Sequence, residues 1–287
     1  MAMDRLDGAP EDQQRAQREE QAPYANRRTK GMTGIIVIPA RRASTRLPEK
    51  LLLRDTGKPL LHHAIDRARE AVEQSGGLFA DIVVAYDDEE LGEIARGAGV
   101  RSIRTSDRHE CGTTRIAEAV EELSRDRRVD VVVNLQADEP EIEPEALRCV
   151  AEELVRDRWA DMATLAIPMP PGTEEGMNNP NAVKVALDTQ GRAVYFSRAP
   201  IPYRRNAPLE GEALWHHHLG IYAYRYSFLK EFAALPVCPL ERIEGLEQLR
   251  ALNAGRRIRV GQVPASWAGK GIDTVDDYRA FVNRMAA

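Results

Sequence analysis

Short apolar runs alternate with longer stretches of helical periodicity in the part of the chain that follows residue 34. Three runs, Ile35–Ile38, Ile82–Ala85 and Val131–Leu135, are apolar at consecutive positions, as in strands covered on both faces. Apolar residues recur every three or four positions over residues 65–72 and 116–123, which is typical of helices. This order predicts an α/β fold with a Rossmann-like, mainly parallel sheet.

The segment from residue 162 to residue 226 has a different pattern, because its apolar runs follow one another with only loops between them. The runs are Thr164–Ile167, Val183–Leu187, Val194–Ser197 and Leu219–Tyr224. They predict a smaller, mostly antiparallel β extension, inserted into the domain.

Further helices are expected to begin at Pro144, to cover residues 243–252 and to cover residues 275–285, with a strand over residues 258–263. Residues 1–33 are mostly Glu, Gln, Asp and Arg with almost no large apolar side chain, so they predict a disordered tail. Met32 lies just before the first strand and is an alternative start of translation. The remaining residues, 34–287, form one expected domain.

Composition narrows the class of protein. With 43% hydrophobic and 30% charged residues the chain can bury a substantial core, and a net charge of −5 argues against binding nucleic acid or a membrane through bulk charge. No apolar run approaches the roughly 20 residues that span a bilayer. Three cysteines without paired spacing favour a reducing compartment, so we expect a cytoplasmic protein.

A basic loop follows the first strand. Residues 39–50 read P-A-R-R-A-S-T-R-L-P-E-K, with four cations and two hydroxyls at the carboxyl end of a central strand, where open α/β sheets bind ligands. Neither a Walker loop nor a dinucleotide fingerprint is present in the sequence. Arginine and lysine would therefore hold phosphate here, although an ordinary solvated loop has the same composition.

An acidic pair follows the strand Val131–Leu135. Asp138 and Glu139 lie in Q-A-D-E-P, residues 136–140, and should reach the same sheet edge as the basic loop if both strands are parallel. Mg²⁺ prefers a few carboxylates together with phosphate oxygens and water. The basic loop and the carboxylates together predict a site that binds a triphosphate.

The chain resembles the 3-deoxy-manno-octulosonate (Kdo) cytidylyltransferases of lipopolysaccharide synthesis. The basic loop matches their P-A-R-x-x-S-T-R-L-P-x-K signature. Further matches follow in order: T-G-K-P-L at 56–60, Q-A-D-E-P at 136–140, N-P-N-A-V-K-V at 179–185, F-S-R-A-P-I-P at 196–202, H-L-G-I-Y at 218–222, L-E-Q-L-R at 246–250 and G-I-D-T at 271–274. The resemblance implies a nucleotide-diphospho-sugar transferase fold and transfer of CMP from CTP to the anomeric hydroxyl of Kdo with release of pyrophosphate. It also implies a homodimer, with the extension over residues 162–226 as the expected dimerisation lobe.

The resemblance also implies a role for particular residues. The catalytic residues would be Lys50, Arg46 and Asp138, and Asp138 and Asp273 would hold Mg²⁺. The nucleotide would be bound by Ala40, Arg41, Ser44, Thr45, Cys111, Gly112, Thr113 and Arg115. The acidic sugar would be bound by Gln136, Arg198, His218, Tyr222, Glu247 and Gln248. Asp273 could instead cap the helix that follows it.

Several positions depart from the family pattern. Cys111 and Thr114 stand where the family usually has serine and glutamate, Tyr86 replaces a threonine and Lys270 replaces a glycine. These changes do not affect the residues that would bind phosphate and metal, but they bear on which base and which sugar the protein selects. Alternatives are the same reaction on another 2-keto acid sugar, such as an amino-Kdo or a nonulosonic acid, and a catalytically silent nucleotide-binding homologue.

Overall fold

The structure is a computed structural model that describes residues 31–44 and 46–286. Thr45 and the first 30 residues of the predicted tail lie outside the described residues. The strands are β1 (Gly34–Ala40), β2 (Phe79–Tyr86), β3 (Arg101–Arg104), β4 (Val131–Asn134), β5 (Met162–Met169), β6 (Lys184–Leu187), β7 (Ala193–Ser197), β8 (Trp215–Arg225) and β9 (Ile258–Gln262).

The helices frame these strands in chain order. They are α1 (Leu60–Gln74), α2 (Glu89–Gly97), α3 (Gly112–Leu123), α4 (Pro144–Arg156), α5 (Glu174–Asn178), α6 (Tyr226–Ala234), α7 (Pro239–Glu244), α8 (Gln248–Asn253) and α9 (Val275–Ala286), with 3₁₀ turns at Lys50–Leu52 and Ala265–Trp267. In the part of the chain that the structure describes, no helix is long and apolar enough to cross a bilayer.

One mixed sheet organises the protein, with strand order β3-β2-β1-β4-β8-β5-β9. Strands β3, β2, β1 and β4 are parallel neighbours, β8 is antiparallel to both β4 and β5, and β9 is parallel to β5. Along this path only β8 runs against the others. The predicted α/β class with a mainly parallel sheet is therefore confirmed.

Helices cover both faces of this sheet, as the non-alternating apolar strands predict. In β1, Ile36 and Ile38 face one core cluster while Ile35 and Val37 face the other, and all four are fully buried. Helices α1, α2, α4 and α9 contribute to the first cluster, and α3, α6 and α8 contribute to the second. This double covering holds the carboxyl ends of β1 and β4 rigid.

The expected inserted lobe needs correction, because two of its strands belong to the central sheet. Strand β5 pairs with β8 over eight positions, and β8 pairs with β4. Only β6 and β7 lie off the main path, where they form an antiparallel hairpin that meets β8 at Lys184. The apolar run of β5 is as buried as that of β1, and Ile221, Ala223 and Tyr224 of β8 are buried as well, which agrees with their central position.

The helix predicted over residues 243–252 is also wrong, because the chain turns at Gly245. That glycine has a φ of 61° and caps α7 in the left-handed conformation that favours glycine. A new helix, α8, then begins at Gln248, and Ile243 is left 80% exposed while Leu249 is buried.

The last residues of the predicted tail join the domain. Met32 packs on the core, and Thr33 N donates to Asp130 Oδ2 at 2.8 Å.

Candidate active site

A cavity of about 250 Å³ opens at the carboxyl ends of β1 and β4. The loop after β1, the start of α3 and the turn after β4 surround it. The sequence-predicted residues that line it are Arg41, Ser44, Arg46, Lys50, Cys111, Gly112, Arg115, Gln136, Asp138 and Asp273. Ten of the predicted site residues therefore converge on one cleft, although they come from four separate segments of the chain.

Lys50 lies at the centre of the polar contacts in this cleft. Its Nζ atom donates to Asp138 Oδ2 at 2.5 Å, to the carbonyl of Ile272 at 2.9 Å and to Asp273 Oδ1 at 3.4 Å. Arg46 Nη2 lies 2.9 Å from the same Asp273 oxygen. Two carboxylates from distant segments are thus held together by two cations.

Asp273 does not cap the helix that follows it. Thr274 Oγ1 accepts from the backbone N–H of Asp277, and Asp277 Oδ2 accepts from the N–H groups of Asp273 and Thr274. These reciprocal hydrogen bonds satisfy the start of α9. The Asp273 carboxylate is consequently left to face Arg46 and Lys50.

Local backbone geometry orients the basic loop. Glu49 has a φ of 53°, a left-handed conformation that is uncommon for a residue other than glycine, and it directly precedes the 3₁₀ turn that begins at Lys50. Arg42 Nη2 contacts Glu49 at 2.6 Å, and its Nη1 contacts Asp88 at 3.1 Å. Arg42 therefore fastens the loop, while the other three cations of the loop line the cavity.

The amino terminus of α3 forms another wall. Cys111 precedes the helix without a side-chain cap, and Gly112 approaches Pro39 so closely that an added Cβ would lie 3.3 Å from the proline Cγ. Arg115 is almost fully buried and donates to Asp87 at 2.9 Å and to Thr105 at 2.7 Å. Arg115 thus supports the cleft through a buried ion pair.

His109 also lines the cavity, although sequence reasoning did not assign it to the site. Its Nδ1 lies 3.0 Å from Thr114 Oγ1, and its Nε2 contacts Glu118. The carboxylate of Glu118 accepts in addition from Ser106 N at 3.1 Å. Thr114 and Glu118 therefore fix the imidazole ring as a wall of the cleft.

A second cavity of about 180 Å³ adjoins the first, and Gln136 lines both. His218 also lines the second cavity. It is buried with Nε2 3.0 Å from Thr164 Oγ1, and its burial lowers its pKa to about 3, so the ring is neutral. Of the six residues predicted to bind the sugar, Gln136 and His218 thus line the same cavity.

The other four predicted sugar residues lie outside both cavity linings. Arg198 donates to the carbonyls of Glu244, Pro180 and Gly245 at 2.7, 3.0 and 3.4 Å. Tyr222 packs its ring against that of His218, with 5.6 Å between the centroids. Burial and the neighbouring Glu247 raise the pKa of Tyr222, so its hydroxyl stays protonated.

Glu247 joins this region to the nucleotide side of the cleft. One of its carboxylate oxygens accepts from Thr113 Oγ1 at 2.9 Å, and the other accepts from Cys111 Sγ at 3.3 Å. Next to it in the chain, Gln248 is buried with an Nε2 atom that has no partner among the described residues. Asn134 Oδ1 is likewise buried and unpaired, and sequence reasoning did not find it.

Two residues that were predicted to bind the nucleotide do not line the first cavity, and neither do two of the residues that differ from the family pattern. Ala40 points into the core, and Thr113 is buried with its hydroxyl committed to Glu247. Tyr86 packs in the core against Gly92, where an added Cβ would lie 2.5 Å from the tyrosine ring. Lys270 is absent from the lining of either cavity.

Glu139 is a further functional candidate that sequence reasoning noted without assigning a role. Burial and the negative charges of Asp138 and Asp273 raise the pKa of its carboxyl to about 7. It lines the second cavity, beside Gln136 and Gly269. A carboxylate kept next to two aspartates at this energetic cost indicates a specific use.

The donor set fits a magnesium ion. Within residues 31–44 and 46–286 no cluster of three or more His, Cys, Asp or Glu side chains forms a complete metal cage. Asp138 and Asp273, which both contact Lys50, would supply two hard oxygen ligands to Mg²⁺, whose shell phosphate oxygens and water commonly complete.

The doubly covered α/β sheet, with a basic loop and paired carboxylates at its strand ends, defines a nucleotide-binding transferase of the nucleotide-diphospho-sugar transferase fold. A family model described as cytidylyltransferase matches residues 35–258. The chain belongs to the cytidylyltransferase family and, within it, to the 3-deoxy-manno-octulosonate cytidylyltransferases.

Individual relatives support this assignment. The 3-deoxy-manno-octulosonate cytidylyltransferase of Thioalkalivibrio sulfidiphilus is 47% identical over 252 residues, covering 84% of this chain and 94% of the relative. The enzyme of the same name from Idiomarina loihiensis is 43% identical, with 86% and 96% covered. A solved CMP:2-keto-3-deoxy-manno-octonic acid synthetase complexed with CTP is 38% identical with a TM-score of 0.76, covering 88% of this chain and 98% of that one.

Proposed function

We propose that the protein transfers CMP from CTP to the anomeric hydroxyl of Kdo, releasing pyrophosphate and forming CMP-Kdo for lipopolysaccharide synthesis. The observation that carries this proposal is the convergence of Lys50, Asp138 and Asp273 in a basic cleft at the strand ends. Relatives of 47% and 43% identity carry the name of this activity.

The nucleotide would lie in the first cavity. Arg41 and Ser44 face it from the basic loop, and the uncapped N–H groups at the start of α3 face it from the other side. A helix amino terminus of this length binds anionic phosphate oxygens through these groups and its dipole. His109, held by Thr114 and Glu118, would form the wall beside the nucleotide.

In the chemical step the anomeric oxygen of the sugar attacks the α-phosphorus, the bond from that phosphorus to the bridging oxygen breaks, and pyrophosphate leaves. The hydroxyl proton passes to solvent. Lys50 and Arg46 lie where they can neutralise charge that grows on the phosphate oxygens. Positioning and electrostatic stabilisation of this kind supply most of the catalysis in phosphoryl-group transfer.

The acidic sugar would bind between Gln136, His218 and Tyr222. The neutral imidazole and the protonated phenol can exchange hydrogen bonds with sugar hydroxyls without the cost of a buried charge. Arg198 is the nearby cation for the sugar carboxylate, because its three hydrogen-bond acceptors are uncharged carbonyls. Glu247 and Gln248 would contribute further polar atoms.

Mg²⁺ is the cofactor of this proposal, held by Asp138 and Asp273. When bound it would act as a Lewis acid that offsets negative charge on the triphosphate. The chain's own part is to keep the two carboxylates close together, which Lys50 and Arg46 do through the contacts described above.

A homodimer in the cytoplasm is part of the same proposal. Strand β7 pairs only with β6 in the described part of the chain, and Val194 on β7 and Tyr203 beyond it are 59% and 89% exposed. A second copy would cover such a surface. The cysteines Cys111 and Cys238 are free thiols, as is usual in a reducing compartment.

The test is pyrophosphate release from CTP, UTP, ATP and GTP, each with Kdo and Mg²⁺, and with EDTA as the metal control. We expect release with CTP alone, loss with EDTA and loss in Lys50→Ala. Lys230→Ala removes an exposed lysine far from the cleft and should keep full activity. Release with another base would overturn the choice of CTP.

The sugar is tested in the same assay with an amino-Kdo and a nonulosonic acid in place of Kdo. Release with one of these and none with Kdo would reassign the substrate. Measurable CTP binding without release for any sugar acid would indicate a silent homologue. Light scattering on the same preparation tests the dimer, which a monomeric mass would exclude.

A further inference from the structure

The two carboxylates that face Lys50 come from segments that lie directly on one another. The backbone N–H of Ile272 donates to the carbonyl of Asp138 at 2.9 Å, and Lys50 Nζ donates to the carbonyl of Ile272 at 2.9 Å. Position 272 is thus fixed to position 138 by a direct hydrogen bond. The separation of the two aspartates depends on how the segment from Gly269 to Asp273 rests on the turn after β4.

Glu139 lies between these two segments and contacts both glycines of the later one. A Cβ added at Gly271 would lie 2.9 Å from Glu139 Oε1, and one added at Gly269 would lie 3.0 Å from Oε2. Each carboxylate oxygen therefore rests against one glycine. Neither glycine has a φ in the left-handed region, so backbone conformation does not require glycine at these positions.

The close approach of the Glu139 carboxylate explains why positions 269 and 271 are glycines. A methyl group at Gly271 would displace the Glu139 carboxylate or lift the segment that carries Asp273. At Gly269 an added Cβ would also approach Ile142 Cα at 3.5 Å, and that backbone atom has little freedom to move. The carboxylate of Glu139 therefore determines how the segment from Gly269 to Asp273 rests on the turn after β4.

We propose that Glu139 is a positioning residue whose carboxylate acts as a spacer between the two glycines and thereby sets the geometry of Asp138 and Asp273 for metal binding. This inference rests on the proposed function, in which those aspartates hold Mg²⁺. The role depends on the size and planarity of the side chain, so glutamine should fulfil it and alanine should not.

The test measures Mn²⁺ affinity by the loss of the free-ion electron paramagnetic resonance signal, with saturating CTP and no sugar. We expect Glu139→Gln to bind Mn²⁺ within about twofold of the parent and Glu139→Ala to bind about tenfold more weakly, as for residues that support metal ligands. Glu143→Ala, an equal charge change at an exposed neighbour, should change nothing. Thermal melting checks that each variant folds.

A second set of variants keeps the inference testable if Glu139→Ala folds poorly. Gly271→Ala should weaken Mn²⁺ binding by itself, because its methyl group meets the carboxylate. The double variant Glu139→Ala/Gly271→Ala should regain part of the lost affinity, since the methyl group enters space that the carboxylate has left. Additive losses in the double variant would contradict the spacer.

Two results would overturn the inference: Mn²⁺ binding by Glu139→Ala equal to that of the parent, or a loss in Glu139→Gln equal to that in Glu139→Ala. If Glu139→Ala keeps the Mn²⁺ affinity of the parent but raises the KM for the sugar, the side chain contacts the sugar from the second cavity instead. A parent protein that binds Mn²⁺ through Asp138, as judged by Asp138→Asn, yet releases no pyrophosphate would refute the proposed function and leave the spacer standing.

Discussion

Replacement of Lys184 by methionine should destabilise the protein more than any exposed substitution on the same hairpin. The Lys184 ammonium is fully buried and donates to the carbonyls of Asn179, Ala182 and Arg198 at 3.0, 2.6 and 2.5 Å. Burial lowers its pKa, and the three carbonyl contacts compensate for lost hydration. Methionine has similar length and would remove the lysine donor from all three carbonyls, of which only that of Asn179 still accepts from another described group, the backbone N–H of Ala182.

The magnitude follows from those acceptors. At about 1 kcal/mol for each of the two carbonyls that lose their donor, the loss is about 2 kcal/mol in the free energy of unfolding. For a domain of this size that corresponds to a fall in Tm of roughly 4–8 °C. Because one acceptor belongs to Arg198, we also expect a raised KM for the sugar with little change in the KM for CTP.

Urea unfolding followed by circular dichroism measures the stability, and pyrophosphate release measures the two KM values. Lys230→Met is the matched control, since that lysine is exposed and lies over the ring of Tyr226. A Lys184→Met protein within about 1 kcal/mol of the parent would refute the reasoning, because this is the smallest effect that a single unsatisfied carbonyl predicts.

Three more predictions concern pH, a buried ion pair and a thiol. Burial lowers the pKa of His63 from 6.5 to about 4, so the stability that its neutral ring contributes is complete above pH 6.5 and is lost as the pH falls towards 4. His63→Gln should flatten this acid limb of the free energy of unfolding, measured in urea across that pH range. Arg115→Met leaves Asp87 buried without its partner and should cost about 3 kcal/mol, whereas the double variant with Asp87→Asn should recover part. Iodoacetamide should label half-buried Cys111 before the other two cysteines, and CTP should slow that labelling in mass spectra; equal labelling with and without CTP would exclude the thiol from the nucleotide cavity.

The central strands could be predicted because their apolar runs are unbroken and buried on both faces. Strand β3 and helix α2 were not found, since Arg101–Arg104 contains a single buried residue and lies at the sheet edge. The break between α7 and α8 was missed because the apolar spacing continues across Gly245. A left-handed cap interrupts a helix without changing that spacing.

For the site, ordered motifs identified the segments that meet, but they could not distinguish cations that face the cleft from cations that support it. Arg42 and Arg41 are adjacent in one basic loop, yet only Arg42 is committed to carboxylates on its neighbours. Arg115 is committed to Asp87 in the same way. Such pairings depend on residues distant in sequence, so spacing alone does not reveal them.

The hydrogen bond between Ile272 and Asp138 has a consequence for biosynthesis. Asp138 and its strand are translated long before Asp273, and the two carboxylates can meet Lys50 only after the segment preceding α9 has docked. A growing chain therefore cannot assemble the acidic pair while it is being made. With the function proposed above, activity would begin only when synthesis of the domain is nearly finished, and an incomplete chain would not consume nucleotide.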